Sequence, residues 1–437
     1  MTRPLSIAVV CYPGLGGSGV VAAELALGLA ARGHRIHVVA TSVPERLLGR
    51  RGPGARPGSP ELPGPAGGAP GASGEIAPGI WFERVEVPSS PVFEHGPYDV
   101  AVASHLVELV RRTPVDLVHL HYAVPHAASA LLVASVLGAA APAMVITLHG
   151  TDVTRLGAHP SLRPVTAFAL AAADGLTAPS RYLAGVAVER FGLAAERIEV
   201  IPNFVDLARF KPPPHGRDRV ASGLAALFPD RAGDGPILFH VSNFRPIKRP
   251  LDLIEVLARV RRTLPARAVL VGDGPERDAV AARARALGVG DAVCLLGRRD
   301  DFCVLLGHAD GFVLPSESEG FGVAALEAMA AGVPVFGYRV GGLPEVVSEG
   351  AGVLVPCGDV DALAQAVLAG AGDRAARDEM GRAARARAEA GFGGDAAIAR
   401  YETYFRRVLA GRTAPAASTT QADPTSQATK PKGSAPV

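Results

Sequence analysis

Along the chain, short apolar runs alternate with longer segments whose apolar positions recur at helical spacing. Residues 7–11 form the first run, and segment 20–31 then sets Val21, Leu25 and Leu29 on one helical face. Gly33 ends that helix, and residues 36–40 supply the next run. The same beat recurs at 116–120 and 144–148, and it resumes at 237–241, 268–271, 311–314 and 334–336. Alternating strand and helix signals predict an α/β protein with parallel sheets covered by helices on both faces. The beat restarts near Ile237 after a polar, proline-rich stretch at 211–236. We therefore read two Rossmann-like domains, 1–205 and 206–394, with the hinge soon after Asn203. A last amphipathic helix is predicted at 395–412, and it is expected to dock on the rest of the protein.

Three segments stand apart from this rhythm. Residues 50–78 are almost wholly Gly, Pro, Ala and Ser, too poor in apolar surface to order themselves, and they read as a flexible insertion. Residues 413–437 form a polar, proline-containing tail of the same kind. Residues 127–148 carry no charge and are long enough to span a bilayer. Alanine dominates them and Pro142 divides them, so a buried helix at about 125–138 followed by a strand at about 143–148 is the better reading.

Composition adds limits. A chain of 437 residues exceeds one ordinary hydrophobic core, in keeping with two domains. A net charge of +2 gives no basic stripe for nucleic acid and no polybasic surface for a membrane. The four cysteines are scattered without a CxxC pair, which suits a reducing cytoplasm better than a disulfide framework or a zinc site. The first apolar run has no cleavage-site pattern after it and reads as a strand, not a signal peptide.

Chemistry concentrates in the loops that follow strands. Gly14, Gly16 and Gly19 match G-x-G-x-x-G between the first strand and first helix, where backbone N–H groups and a helix N-terminus can meet an anion. Dinucleotide binding would want an acid after the second strand, and Thr41 and Ser42 stand there instead. A phosphate or carboxylate cradle, a tight structural turn and a dinucleotide site are the competing readings. Further along, Glu319 precedes the glycine-rich helix start Gly320-Phe321-Gly322, and Glu327 follows in the second turn. Two carboxylates around such a start can accept from hydroxyls while free N–H groups meet a phosphate. Arg245 and Lys248 lie three apart at the carboxyl end of a strand, where they could clamp a diphosphate or simply be solvated.

His119 and His121 share one face of a strand, with His126 nearby, but no third ligand has a convincing spacing for a metal. His119 reads better as a packed core histidine. Asp359 and Asp361 form the one D-x-D, which precedes an alanine-rich helix and reads as an N-cap.

Taken together these residues resemble family 4 of the GT-B glycosyltransferases, whose signature is carried by Arg245, Lys248, Glu319 and Glu327. The resemblance spans about residues 5–410 apart from the insertion. It implies two Rossmann-like domains facing across a cleft, with the last helix crossing back to the first domain. The N-terminal motifs PYDVAVASHLVE, HYAVPHAASA and TLHGTDVT are similar to the branch that serves bacillithiol biosynthesis, with UDP-N-acetylglucosamine (UDP-GlcNAc) as donor and L-malate as acceptor. By that resemblance Glu327 would hold the ribose hydroxyls, and Glu319 the sugar 3-hydroxyl beside Gly320, Phe321 and Gly322. Arg245 and Lys248 would bind the diphosphate, with Gly16 and Gly17 closing on it. His149 would touch the sugar near the reacting carbon, and Arg298 would face the uracil. Ser18, Tyr98, Tyr122, Arg163 and Asn203 would hold the acceptor. The resemblance implies retention of configuration with no metal and no cofactor, a cytoplasmic enzyme, and small molecules as partners; it leaves self-association open. Three rivals remain: an inositol-phosphate or lipid-linked acceptor on the same fold, a nucleotide-binding oxidoreductase, and a non-enzymatic sugar-nucleotide binder.

Overall fold

The computed structural model describes residues 3–14, 16–48, 74–89, 96–214, 216, 223–228, 235–348 and 350–413. Residues 50–73 of the expected insertion and the tail from 414 lie outside them.

The first domain contributes strands β1 (Ser6–Val10), β2 (Arg35–Ala40), β3 (Gly74–Ala77), β4 (Ile80–Arg84), β5 (Leu117–His121), β6 (Ala143–Thr147), β7 (Gly175–Ala178) and β8 (Ile198–Val200). They form one sheet in the order β3-β4-β2-β1-β5-β6-β7-β8. All pairs are parallel except β3 with β4. β3 corrects the sequence reading: residues 74–77, assigned to the flexible insertion, are an edge strand turning back through Gly79 at φ +77°. The Glu75 carboxylate accepts from the Gly79 N–H at 2.9 Å and closes that turn. The uncharged stretch is divided as expected, into helix His126–Leu137 and strand β6. No helix among the described residues is long and apolar enough to cross a membrane.

The second domain contributes β9 (Ile237–Val241), β10 (Arg267–Val271), β11 (Val293–Gly297), β12 (Gly311–Leu314), β13 (Val335–Tyr338) and β14 (Gly352–Val355). Their order is β11-β10-β9-β12-β13-β14, and every pair is parallel. Both central strand sets are buried on both faces, as parallel sheets under two helical layers must be.

Asp359 caps its helix by accepting from the Ala362 N–H at 2.9 Å, so the D-x-D has a structural role. The chain crosses back after helix Arg374–Gly391. Helix Gly394–Thr413 buries Ile398, Tyr401 and Phe405 in the core made by Ile7, Val9 and Leu25 of the first domain. The Tyr404 hydroxyl donates to the Leu176 carbonyl at 3.0 Å, which ties this helix to β7.

Candidate active site

In the first sheet the strand order reverses between β1 and β5, and in the second between β9 and β12. Ligands of open α/β sheets bind outside the carboxyl ends of strands at such reversals. Here the two reversals share one cavity of about 460 Å³, lined by residues of both domains.

Helix Gly17–Ala31 begins directly after the loop that follows β1, and its cap Gly16 supplies no side-chain acceptor. Gly19 has to be glycine, since a Cβ there would lie 2.3 Å from the Gly14 carbonyl oxygen. Opposite it, helix Val323–Ala330 starts at Gly322, whose φ of +102° suits glycine and few other residues. The N–H groups of Gly320, Phe321 and Gly322 find no acceptor among the described residues. A Cβ on Gly17 would lie 3.7 Å from Val323 Cγ2, so the two helix starts oppose each other closely. Two partial positive poles therefore converge from two domains, a setting suited to a diphosphate.

Cations border the same spot. A short turn at Pro246–Lys248 follows β9 and presents both basic residues to the cavity. Lys248 Nζ donates to Glu319 Oε1 at 2.7 Å, while Arg245 has no carboxylate partner among the described residues. Glu327, one helical turn further in, is 9% exposed, and burial pushes its carboxyl up to about 7 against the pull of Arg46 and Arg209. Arg298 is exposed on the rim of the cavity.

The first domain supplies the other wall. The buried Asp152 carboxylate accepts from the N–H groups of Ala123, His149 and Gly150 at 2.9, 3.1 and 2.7 Å, which fixes the loop carrying His149. Burial raises the Asp152 carboxyl despite those bonds. His149 Nε2 lies 2.9 Å from His121 Nδ1, and burial pushes His149 down to about 3, so its imidazole is neutral near pH 7. His119 is a packed core residue, with Nε2 2.6 Å from Thr147 Oγ1 and the rings of Tyr401 and Phe405 beside it. Tyr122 holds φ +85°, and burial raises its phenol while Ser18 and Arg245 pull it down. Asn203 Oδ1 is buried on the cavity wall with no hydrogen-bond partner among the described residues, an acceptor waiting for a donor.

Of the residues singled out from sequence, Gly16, Gly17, Ser18, Tyr122, His149, Asn203, Arg245, Lys248, Arg298, Glu319, Gly320, Phe321, Gly322 and Glu327 meet around this cavity. Tyr98 stands behind its wall. Its hydroxyl is 3.1 Å from His126 Nε2 and its ring stacks on Tyr12, which in turn meets Tyr122 edge-on. Arg163 is not brought to the cavity. It opens the exposed end of helix Arg163–Ala172, and its guanidinium donates to the Arg190 carbonyl at 2.8 Å. Sequence reasoning missed Tyr12, whose place after β1 was a usable signal. It also missed Arg46 in the four-residue helix Glu45–Leu48, which has too few residues for any pattern.

Two families match the chain in tandem: residues 15–209 match Glycosyltransferase Family 4, and residues 228–387 match Glycosyl transferases group 1. N-acetyl-alpha-D-glucosaminyl L-malate synthase of Bacillus anthracis is 35% identical over 406 residues, 93% of this chain and 97% of that protein. D-inositol 3-phosphate glycosyltransferase of Nocardia farcinica is 36% identical over 51% of this chain and 50% of its own length. Among solved structures, sucrose-phosphate synthase from Thermosynechococcus elongatus aligns with TM-score 0.71 at 22% identity, over 93% of this chain and 100% of that one. Anabaena Alr3699/HepE in complex with UDP and glucose aligns with TM-score 0.71 at 20% identity, over 92% and 99%. At such identities the likeness concerns the fold, which is GT-B.

Proposed function

Because this chain belongs to family 4 of the GT-B glycosyltransferases, we propose that it transfers N-acetylglucosamine from UDP-GlcNAc to the hydroxyl of L-malate with retention of configuration. The observation that carries the acceptor is the full-length relation to a malate synthase, which includes the first domain and not just the widely shared second one. The geometry supports the donor half. The opposed helix starts at Gly17 and Gly320–Gly322, with Arg245 and Lys248, suit a diphosphate, and Glu327 suits the ribose hydroxyls. Glu319 and His149 flank the place where the sugar would lie, and Arg298 borders the base. On the other wall Ser18, Tyr122 and Asn203 offer donors and an acceptor to a small, polar, dianionic substrate.

In this reading the bond from the anomeric carbon to the diphosphate breaks while the malate oxygen bonds to that carbon on the same face. The malate proton passes to the departing diphosphate, so no side-chain base is needed. Stabilising the leaving charge is then the main catalytic contribution. Arg245 and Lys248 take the part that a divalent ion plays elsewhere, so the reaction needs no metal. The product is the first intermediate of bacillithiol biosynthesis, made in the cytoplasm.

The reading is tested with UDP-GlcNAc and L-malate in the presence of EDTA, by product mass and by the anomeric coupling constant. An α-linked N-acetylglucosaminyl malate formed at full rate is the expected result. Dependence on added magnesium or manganese would overturn the role given to Arg245 and Lys248. A product formed only with an inositol phosphate would overturn the acceptor.

A further inference from the structure

Beside Glu327 the floor of the cavity is built by both domains at once. Arg46 of the first domain is 5% exposed. Its Nε donates to Glu24 Oε1 at 2.8 Å inside its own domain, and its Nη1 donates to Asp300 Oδ1 at 3.1 Å across the cleft. Asp300 Oδ1 also accepts from Arg209 Nη2 at 2.8 Å, and the same guanidinium reaches the Asp300 carbonyl. The ring of Phe210 lies 6.0 Å from the Arg46 guanidinium carbon and 5.6 Å from that of Arg209. Asp300 sits two residues after Arg298, and Arg46, Arg298, Asp300 and Glu327 all line the cavity. A guanidinium so buried is tolerated when carboxylates meet it in good geometry, and one of its two belongs to the other domain.

Resting on the donor site of the proposed function, we propose that Arg46 is a positioning residue that makes nucleotide binding and domain closure a single equilibrium. Reaching across the cleft, it fixes the Asp300 loop and works against the burial that pushes the Glu327 carboxyl up, favouring the anion that receives the ribose hydroxyls. The charges facing Glu327 are Arg46 and Arg209, which favour its ionised form, and Glu24 and Asp300, which oppose it. When the domains part, Arg46 leaves with Glu24, and Glu327 is left facing Arg209 and Asp300. A nucleotide that spans Glu327 and the Arg298–Asp300 loop then meets a loop that Arg46 no longer fixes, binds the open form more weakly, and by linkage draws the domains together.

The test uses the full chain, with UDP titrated by calorimetry from pH 6 to 9 and the radius of gyration measured by small-angle scattering with and without UDP. Arg46→Gln is expected to weaken UDP by about 5- to 150-fold, the usual span of coupling between sites. It should also move the pH midpoint of UDP affinity upward and abolish the contraction on binding. Arg46→Lys should restore the midpoint, because it restores the charge. Should Arg46→Gln fail to fold, Asp300→Asn removes the cross-domain carboxylate from a half-exposed position and should likewise abolish the contraction. UDP affinity, pH midpoint and contraction all as in the unaltered protein, with Glu327→Gln still weakening UDP, would overturn the inference. If Glu327→Gln leaves UDP affinity unchanged, the donor assignment itself fails and this inference falls with it.

Discussion

The two walls of the cleft are assembled in different ways. In the proposed roles, the core of the donor wall is one strand, one loop and one helix start: β12, Ser316 to Gly322, and helix Val323–Ala330, joined by Arg245 and Lys248 after β9 and by Arg298. The acceptor wall gathers residues from the ends of three strands, one βα unit apart. His121 and His149 meet over a separation of 28 residues, Tyr98 and His126 over 28, and Ala123 and Asp152 over 29. A contiguous motif makes its site from local geometry, whereas the dispersed wall depends on how strand register and helix packing bring distant residues into line. The donor wall should therefore respond to single substitutions with large, specific losses, and the acceptor wall with smaller, shared ones.

The largest expected loss follows Arg245→Ala or Lys248→Ala. Either should lower kcat by about 10²–10³, the scale for removing one donor to a developing negative charge. Steady-state rates at saturating substrates check this; an unchanged kcat would remove the main distinction between the walls. Next comes Glu327→Gln, which should weaken UDP by about 10- to 100-fold, from the roughly 1.5–3 kcal/mol of a hydrogen bond to a charged group.

Glu327 also gives the donor wall a pH signature. Its carboxyl stands at about 7 in the folded chain, above the usual carboxylate range, because of burial. UDP affinity should therefore rise as pH increases through about 7, and the Gln variant should show no such rise. The stability sign is opposite. A raised carboxyl favours the folded state at pH values below its unfolded value, and that contribution is lost as pH climbs through about 7. Glu327→Gln should thus raise Tm more at pH 8 than at pH 5, as thermal unfolding at the two pH values would show. Equal shifts would mean that the carboxylate is not buried as an anion.

On the acceptor wall, Asn203→Ala and Tyr122→Phe should each raise the malate KM by about 3- to 10-fold, the scale of one neutral hydrogen bond, and leave UDP affinity unaffected. The smallest effect is expected from Arg163→Ala, less than about twofold, because its guanidinium is taken by the Arg190 carbonyl, an interaction of exposed-surface strength. A tenfold rise in malate KM there would show that this helix swings into the cleft when substrate binds.

The same contrast explains what the sequence made legible. The strand–helix beat gave the central strands of both sheets, because period and length are local properties, but not β4, β7, β8, β11 or β14, and the return of the last helix was implied by the family resemblance. Glu319, Gly320–Gly322 and Glu327 could be read as a unit because spacing along one loop and one helix fixes where they point. Arg46 could not, since its importance comes from Asp300 facing it across the cleft; Tyr12 offered only its place after β1, and its contacts with the rings of Tyr98, Tyr122 and His126 come from the fold. Arg163 shows the converse, a residue chosen by motif likeness whose side chain the fold directs elsewhere. The short strand β3 escaped for a third reason, because it borders a stretch of Gly and Pro that hides a four-residue pairing segment.

The most direct test of the account is the ratio of kcat/KM for L-malate to that for an inositol phosphate, measured with UDP-GlcNAc as donor. With Ser18, Tyr122 and Asn203 holding malate as proposed, a preference for malate of at least about 10²-fold is expected, since a site built to pair buried polar groups rejects ligands that leave them unpaired. A ratio at or below one would contradict the malate assignment and leave a family 4 glycosyltransferase with a different acceptor.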